Sequence, residues 1–171
     1  MWPFKKTPPK AEPAKRPGNP PTALRALSFV PPEIVKQIGG LPKEAIYGFM
    51  QGEGISAEQF RPNPLFNTFL HDVIRNHVSN DPAAHAAALQ QGSGSLSIID
   101  LRTPEGPDGF VPYEDIIGIF EVKDGVFGPQ SYQPNDKYLA FSARGGFISL
   151  PADLQAAFVM GIINLRTKES A

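Results

Sequence analysis

The chain contains no cysteine, so disulfides, thiolate nucleophiles and cysteine-ligated zinc or iron–sulfur centres are excluded on chemical grounds. Long apolar runs are also missing: no segment approaches the roughly 20 residues that a membrane-spanning helix requires. The start, Met1-Trp2-Pro3-Phe4-Lys5-Lys6, continues into Thr7-Pro8-Pro9-Lys10 and lacks the apolar stretch of a secretory signal. These absences suit a reducing compartment, and the expected location is the cytoplasm of a bacterium. No GKS, GKT or GxSxG occurs, which removes the usual phosphate loop and the esterase nucleophile elbow. Gly92-Ser93-Gly94-Ser95 has the glycines of a phosphate loop, but such glycines follow a strand and open a helix. Here the order is reversed, and the segment reads as a flexible helix-to-strand connection.

Charge is unevenly placed in the 171 residues. Residues 1–22 hold five basic side chains against Glu12, whereas residues 23–171 hold 11 basic and 16 acidic ones, a net of −5. An acidic body disfavours nucleic acid as a partner, because phosphate binding needs clustered Lys and Arg. It suits a basic protein partner instead. Residues 1–22 interleave prolines with lysines and predict an extended tail that cannot bury enough apolar surface to order itself. Pro17-Gly18-Asn19-Pro20 within it has the spacing read by polyproline-binding grooves.

Residues 23–171 predict a single α+β domain, with a helical half over 23–91 and a sheet with a final helix over 96–168. Proline opens and glycine closes two short helical segments, 32–38 and 42–50. Asn63 and Pro64 open the clearest helix, whose apolar stripe runs Leu65, Phe66, Phe69, Leu70, Val73, Ile74, Val78. Asp81-Pro82 opens another short helix, with Gly92 at its end. Beyond it, short β-type runs at 96–101, 116–122, 126–127, 138–141 and 147–150 predict an antiparallel meander of four to five strands. Lys123-Asp124-Gly125 is its strongest hairpin signal, and Arg144-Gly145-Gly146 a second.

The closing helix, from Pro151 to about Leu165, is uncharged and apolar around its whole circumference between Ala156 and Ile163. Either other helices cover its outer side or a partner does. Phe158, Val159, Ile162 and Ile163 are therefore the expected partner-binding residues, joined by Tyr132 and Asn135 in the polar and aromatic loop 131–136.

Catalytic chemistry finds little support. His71 and His77 stand six residues apart on one helix, unlike the four-residue spacing that aims two imidazoles at one metal, and His85 lies on the next helix. The acidic run Asp100, Glu105, Asp108, Glu114, Asp115 and Asp124 contains pairs for acid–base hydrolysis, but no spacing fixes their separation. Residues 100–109 have the composition of a calcium loop without its ligand alternation or terminal glutamate. Arg102 and Arg144, at strand ends, are candidate anion-binding groups. No cofactor or metal is expected. The reading that results is a non-enzymatic protein-binding protein, of the immunity, adaptor or secretion-accessory kind, using an acidic surface and an apolar C-terminal helix. Its partner is another protein or a second copy of the chain. The alternative is a small hydrolase or anionic-ligand-binding enzyme using the Asp, Glu and Arg residues of the sheet half.

Overall fold

A computed structural model describes residues 23–104 and 108–171. The expected proline-rich tail, with its polyproline-like segment, and Glu105 lie outside the described residues. The elements are β1 (Leu24–Leu27), α1 (Pro32–Gln37), β2 (Gly48–Gln51), β3 (Phe60–Pro62), α2 (Pro64–Ser79), α3 (Pro82–Gln91), β4 (Gly94–Ile99), β5 (Ile116–Val122), β6 (Tyr132–Pro134), β7 (Phe141–Ser142), β8 (Gly146–Phe147) and α4 (Ala152–Glu169). Single 3-10 turns precede β2, β3, β5 and β6. Strands form two three-stranded antiparallel sheets, ordered β1-β2-β3 and β4-β5-β6, and the hairpin β7-β8. The class is α+β, as its sequence implies.

The helices follow their local chemistry. Asn63 caps α2 by accepting from the Leu65 amide at 3.1 Å, and Asp81 caps α3 by accepting from the Ala83 and Ala84 amides. Pro64 and Pro82 each sit at the start of their helix, where no amide donor is needed. Gly92, at φ 83°, ends α3. The Asp124-Gly125 turn has both residues at positive φ, and Lys123 and Val126 exchange backbone hydrogen bonds of 2.9 Å across it. Gly92-Ser93-Gly94 is tied to this turn: the Asp124 amide donates to the Ser93 hydroxyl at 3.0 Å, and the Gly125 amide to the Gly92 carbonyl. The connection expected to be flexible is thus fastened.

Both halves depart from expectation. The segment 42–50, read as a helix, is a 3-10 turn over Lys43–Ala45 followed by strand β2. Its alternation of buried Met50 with half-buried Phe49 is the period of a strand, and cross-strand partners on both sides override its helix propensity. The half over 23–91 therefore contains a sheet of its own. In the other half, Val126–Phe127 forms only an isolated bridge, while Tyr132–Pro134, read as a loop, is β6.

The chain contains an internal repeat, visible in both sequence and register. Pro42, Glu44, Ile46 and Gly48 lead into β2, and Pro112, Glu114, Ile116 and Gly118 lead into β5. In register, Gly48 faces Pro62 and Met50 faces Phe60; Gly118 faces Pro134 and Phe120 faces Tyr132. Asn63 and Asn135 close the two units identically. The Asn63 amide nitrogen Nδ2 donates to the carbonyls of Lys43 (2.8 Å) and Ile46 (2.7 Å), and that of Asn135 to those of Tyr113 (3.1 Å) and Ile116 (2.8 Å). Their backbone amides bond the carbonyls of Tyr47 and Ile117. Each glycine is required at its site: a Cβ on Gly48 would collide with the Phe60 ring, and one on Gly118 with the Tyr132 ring.

The core joins the repeats. Phe66, Leu70, Ile74 and Val78 of α2 face Leu154, Phe158 and Ile162 of α4. Gly161 lets the two helices approach, since a Cβ there would lie 3.0 Å from the Phe69 ring. Phe29, Tyr47, Phe66, Phe69 and Phe158 form one aromatic cluster, with Phe158 making three of its ring contacts at centroid distances of 5.0 to 5.3 Å.

Candidate interaction surface

The apolar circumference of α4 divides into two jobs. Leu154, Phe158 and Ile162 recur every four residues and point into the core, where Phe158 and Ile162 are fully buried. Of the four helix residues expected to meet a partner, these last two are thus occupied by packing against α2. Val159 and Ile163 sit one residue further round and stay half-buried, and Met160 is 55% exposed. They border a shallow groove of about 520 Å³ between α4 and the short α1, whose opposite wall is Pro31 and Ile34. Glu33 stands at its rim. A separate depression that shares Ile163 is lined by Ile38 and Arg166. The groove exists because α1, at six residues, carries no fully buried side chain and cannot cover the outer face of an 18-residue helix.

Tyr132 and Asn135 are not surface groups. Tyr132 is packed against Phe120 and lies over Gly118. Its hydroxyl is 2.7 Å from His71 Nδ1, with the Arg75 guanidinium 5.6 Å from its ring centroid. Burial raises the Tyr132 pKa, so the phenol stays protonated and donates to His71. Burial, assisted by Arg75, lowers the His71 pKa against the smaller opposing effects of Asp136 and Asp72. The imidazole is therefore neutral at pH 7, with Nδ1 accepting and Nε2 carrying the proton. Asn135 uses its amide within the repeat, as described. The polar and aromatic sequence that suggested a recognition loop is the inner wiring of β6.

The two arginines have different fates. Arg102 has a side chain only 2% exposed, with Nε 2.7 Å from Asp115 Oδ1 and 3.5 Å from Asp100 Oδ2. Its remaining donors reach the carbonyls of Leu139 and Glu114. The guanidinium is consumed by internal acceptors and is not available to an external anion. Asp100 also accepts from the Tyr138 hydroxyl at 2.7 Å and from the amides of Arg102 and Ser149. Burial raises the Asp100 pKa despite these bonds. Of the six acidic residues considered for hydrolysis, Asp100 and Asp115 come together, but in a closed arrangement: both are fully buried around one guanidinium. Arg144 is 60% exposed and 3.8 Å from Glu114, a solvated surface pair.

The histidines diverge. His77 meets Asp153 at 3.3 Å, linking α2 to α4, and His85 bonds the Ser79 carbonyl at 2.8 Å while stacking on Phe127. Among the described residues no group of three or more His, Asp or Glu side chains is gathered as a metal site, and no helix is long and apolar enough to cross a membrane. What sequence reasoning missed was Met160 and the α1 wall, because only the burial of Phe158 and Ile162 reveals which side of α4 is left over. No family model matches the chain, and no curated protein or solved structure matches it either.

Proposed function

We propose that this chain is a non-enzymatic, cytoplasmic protein-binding module that receives an apolar helical segment of a basic partner protein in the groove between α1 and α4. One observation carries the reading. From Gln155 to Asn164 α4 has no charged residue, and after the core has taken Phe158 and Ile162, Val159, Met160 and Ile163 still face outward, with Pro31 and Ile34 continuing the apolar strip. A solvated helix face would carry Lys or Glu at these positions. The excess of acidic side chains over residues 23–171 and Glu33 at the rim favour a partner bearing basic residues. Arg102, Asp100 and Asp115 support this reading from the other side, since a closed ion cluster offers no substrate access.

The test is site-specific photo-crosslinking in the native host. A crosslinker at Met160 should yield a discrete heterologous adduct that a crosslinker at Asp72, on the exposed side of α2, does not. With that partner purified, Val159→Asp with Met160→Asp should weaken binding at least tenfold while the circular dichroism spectrum stays near-native. Identical adducts from the two positions, or unchanged affinity in the double variant, would refute the proposal.

A further inference from the structure

We infer that β4 is a self-association edge, through which two copies of the chain pair antiparallel and join their β4-β5-β6 sheets into one continuous six-stranded sheet. The inference is independent of the groove, which lies on other elements.

The direction of β4's hydrogen bonds follows from its neighbours. The Asn135 amide bonds the Ile117 carbonyl, and Gly118 stands opposite Pro134, which has no donor. Ile117 and Ile119 therefore bond toward β6, and Gly118, Phe120 and Val122 bond toward β4. Their partners Ile98, Leu96 and Gly94 are thereby satisfied, while the backbone groups of Ser95 and Ser97 point away from the sheet. The placement of the Gln91 amide, 3.1 Å from the Ser95 carbonyl, agrees. Among the described residues, β5 is the element that packs extensively along β4.

Every other edge in the described residues is guarded. β3 and β6 are three residues long and contain Pro62 and Pro134, and β7 and β8 have two residues each. β1 carries Arg25, whose guanidinium caps the Gly54 carbonyl at 2.6 Å. β4 is six residues long and has neither proline nor charge, the features that usually block edge pairing. Its sequence fits a second copy of itself. Over the regular stretch Gly94–Ile98, before the irregularity at Ile98/Ile99, a two-fold axis at Leu96 sets Ser95 of each copy opposite Ser97 of the other. The outward groups then bond reciprocally, no like charges meet, and the half-buried Leu96 and Ile98 extend one apolar face across the junction. Among the described residues, the Gln91 side chain is hydrogen-bonded to this edge and has to swing aside. One strand pair buries less than the roughly 800 Å² per partner of a standard interface, so the dimer is reversible.

The experiment is sedimentation of the full chain over about a hundredfold range of concentration. The wild type should pass from monomer to dimer. Ser97→Pro, which removes an outward donor and is tolerated at an edge, and Ser97→Lys, which brings charges together, should each stay monomeric with a near-native circular dichroism spectrum. Should Ser97→Pro fail to fold, Ser97→Lys decides. Because the chain has no cysteine, register can be read directly: Ser95→Cys mixed with Ser97→Cys should crosslink through a short thiol reagent more than either alone. A wild type monomeric throughout, a dimer indifferent to Ser97→Lys, or crosslinking without preference for the mixed pair would overturn the inference.

Discussion

His71 and Tyr132 join the two repeats: the imidazole comes from α2, which follows the first unit, and the phenol from β6 of the second, and they meet at 2.7 Å. Because burial holds the His71 pKa below its ordinary 6.5, the unfolded chain binds this proton more readily than the folded one. The stabilisation is complete above pH 6.5 and is lost as pH falls through the depressed folded value. Thermal melts at pH 7.5 and 5.5 should show a smaller drop for His71→Gln than for the wild type. Comparing the two chains cancels the contribution of Asp100, whose raised pKa acts in the opposite sense.

Replacing Arg102 with Met should destabilise the protein by about 3–5 kcal/mol, because two buried carboxylates lose the cation they share. Denaturant unfolding measures this. Adding Asp100→Leu and Asp115→Ala to the same chain should recover a large part of the loss, since the cost lies in stranded charge and not in missing volume.

Asn135→Ala should cost on the order of 2–3 kcal/mol, by removing the side-chain donor shared by the Tyr113 and Ile116 carbonyls and leaving Tyr113 with the Ile116 amide alone. Asn135→Asp keeps the shape but turns a carboxylate toward the same carbonyls, and it should be the less stable of the two at pH 7. Chemical denaturation ranks them.

Gly118→Ala should lower stability by about 1–3 kcal/mol, because the new methyl overlaps the Tyr132 ring in a packed interior. A displaced Tyr132 would also lengthen its bond to His71, visible as a shift of the His71 ring resonances in NMR spectra.

Much of the helical architecture was legible. Asn63-Pro64 and Asp81-Pro82 are caps whose side chains act on amides two or three residues away, so their chemistry is local and the sequence states it directly. The Asp124-Gly125 turn is legible for the same reason. Strand β2 was not, because its extended form depends on pairing with β1 and β3, residues remote in sequence. The site divided likewise. The all-apolar stretch of α4 was visible, but which half of it faces outward depends on α2, and the surface chemistry expected of Tyr132, Asn135 and Arg102 gave way to interior hydrogen bonds no spacing rule encodes. The repeat itself is written in the sequence, as the recurrence of Pro-x-Glu-x-Ile-x-Gly, then an aromatic residue followed by x-Pro-Asn, at Pro42 and Pro112.

The repeat also sets two interiors side by side. At corresponding places the first unit buries Ala45 and the second Asp115, and two residues beyond the matched Leu27 and Ile98 stand Phe29 and Asp100. One strand plan thus holds an oily filling in one copy and an ionic one in the other. The molecule carries its own reference state: the first unit is a ready blueprint for rebuilding the second without charge, and the free energy between the two versions would be what the second copy sacrificed or gained by diverging.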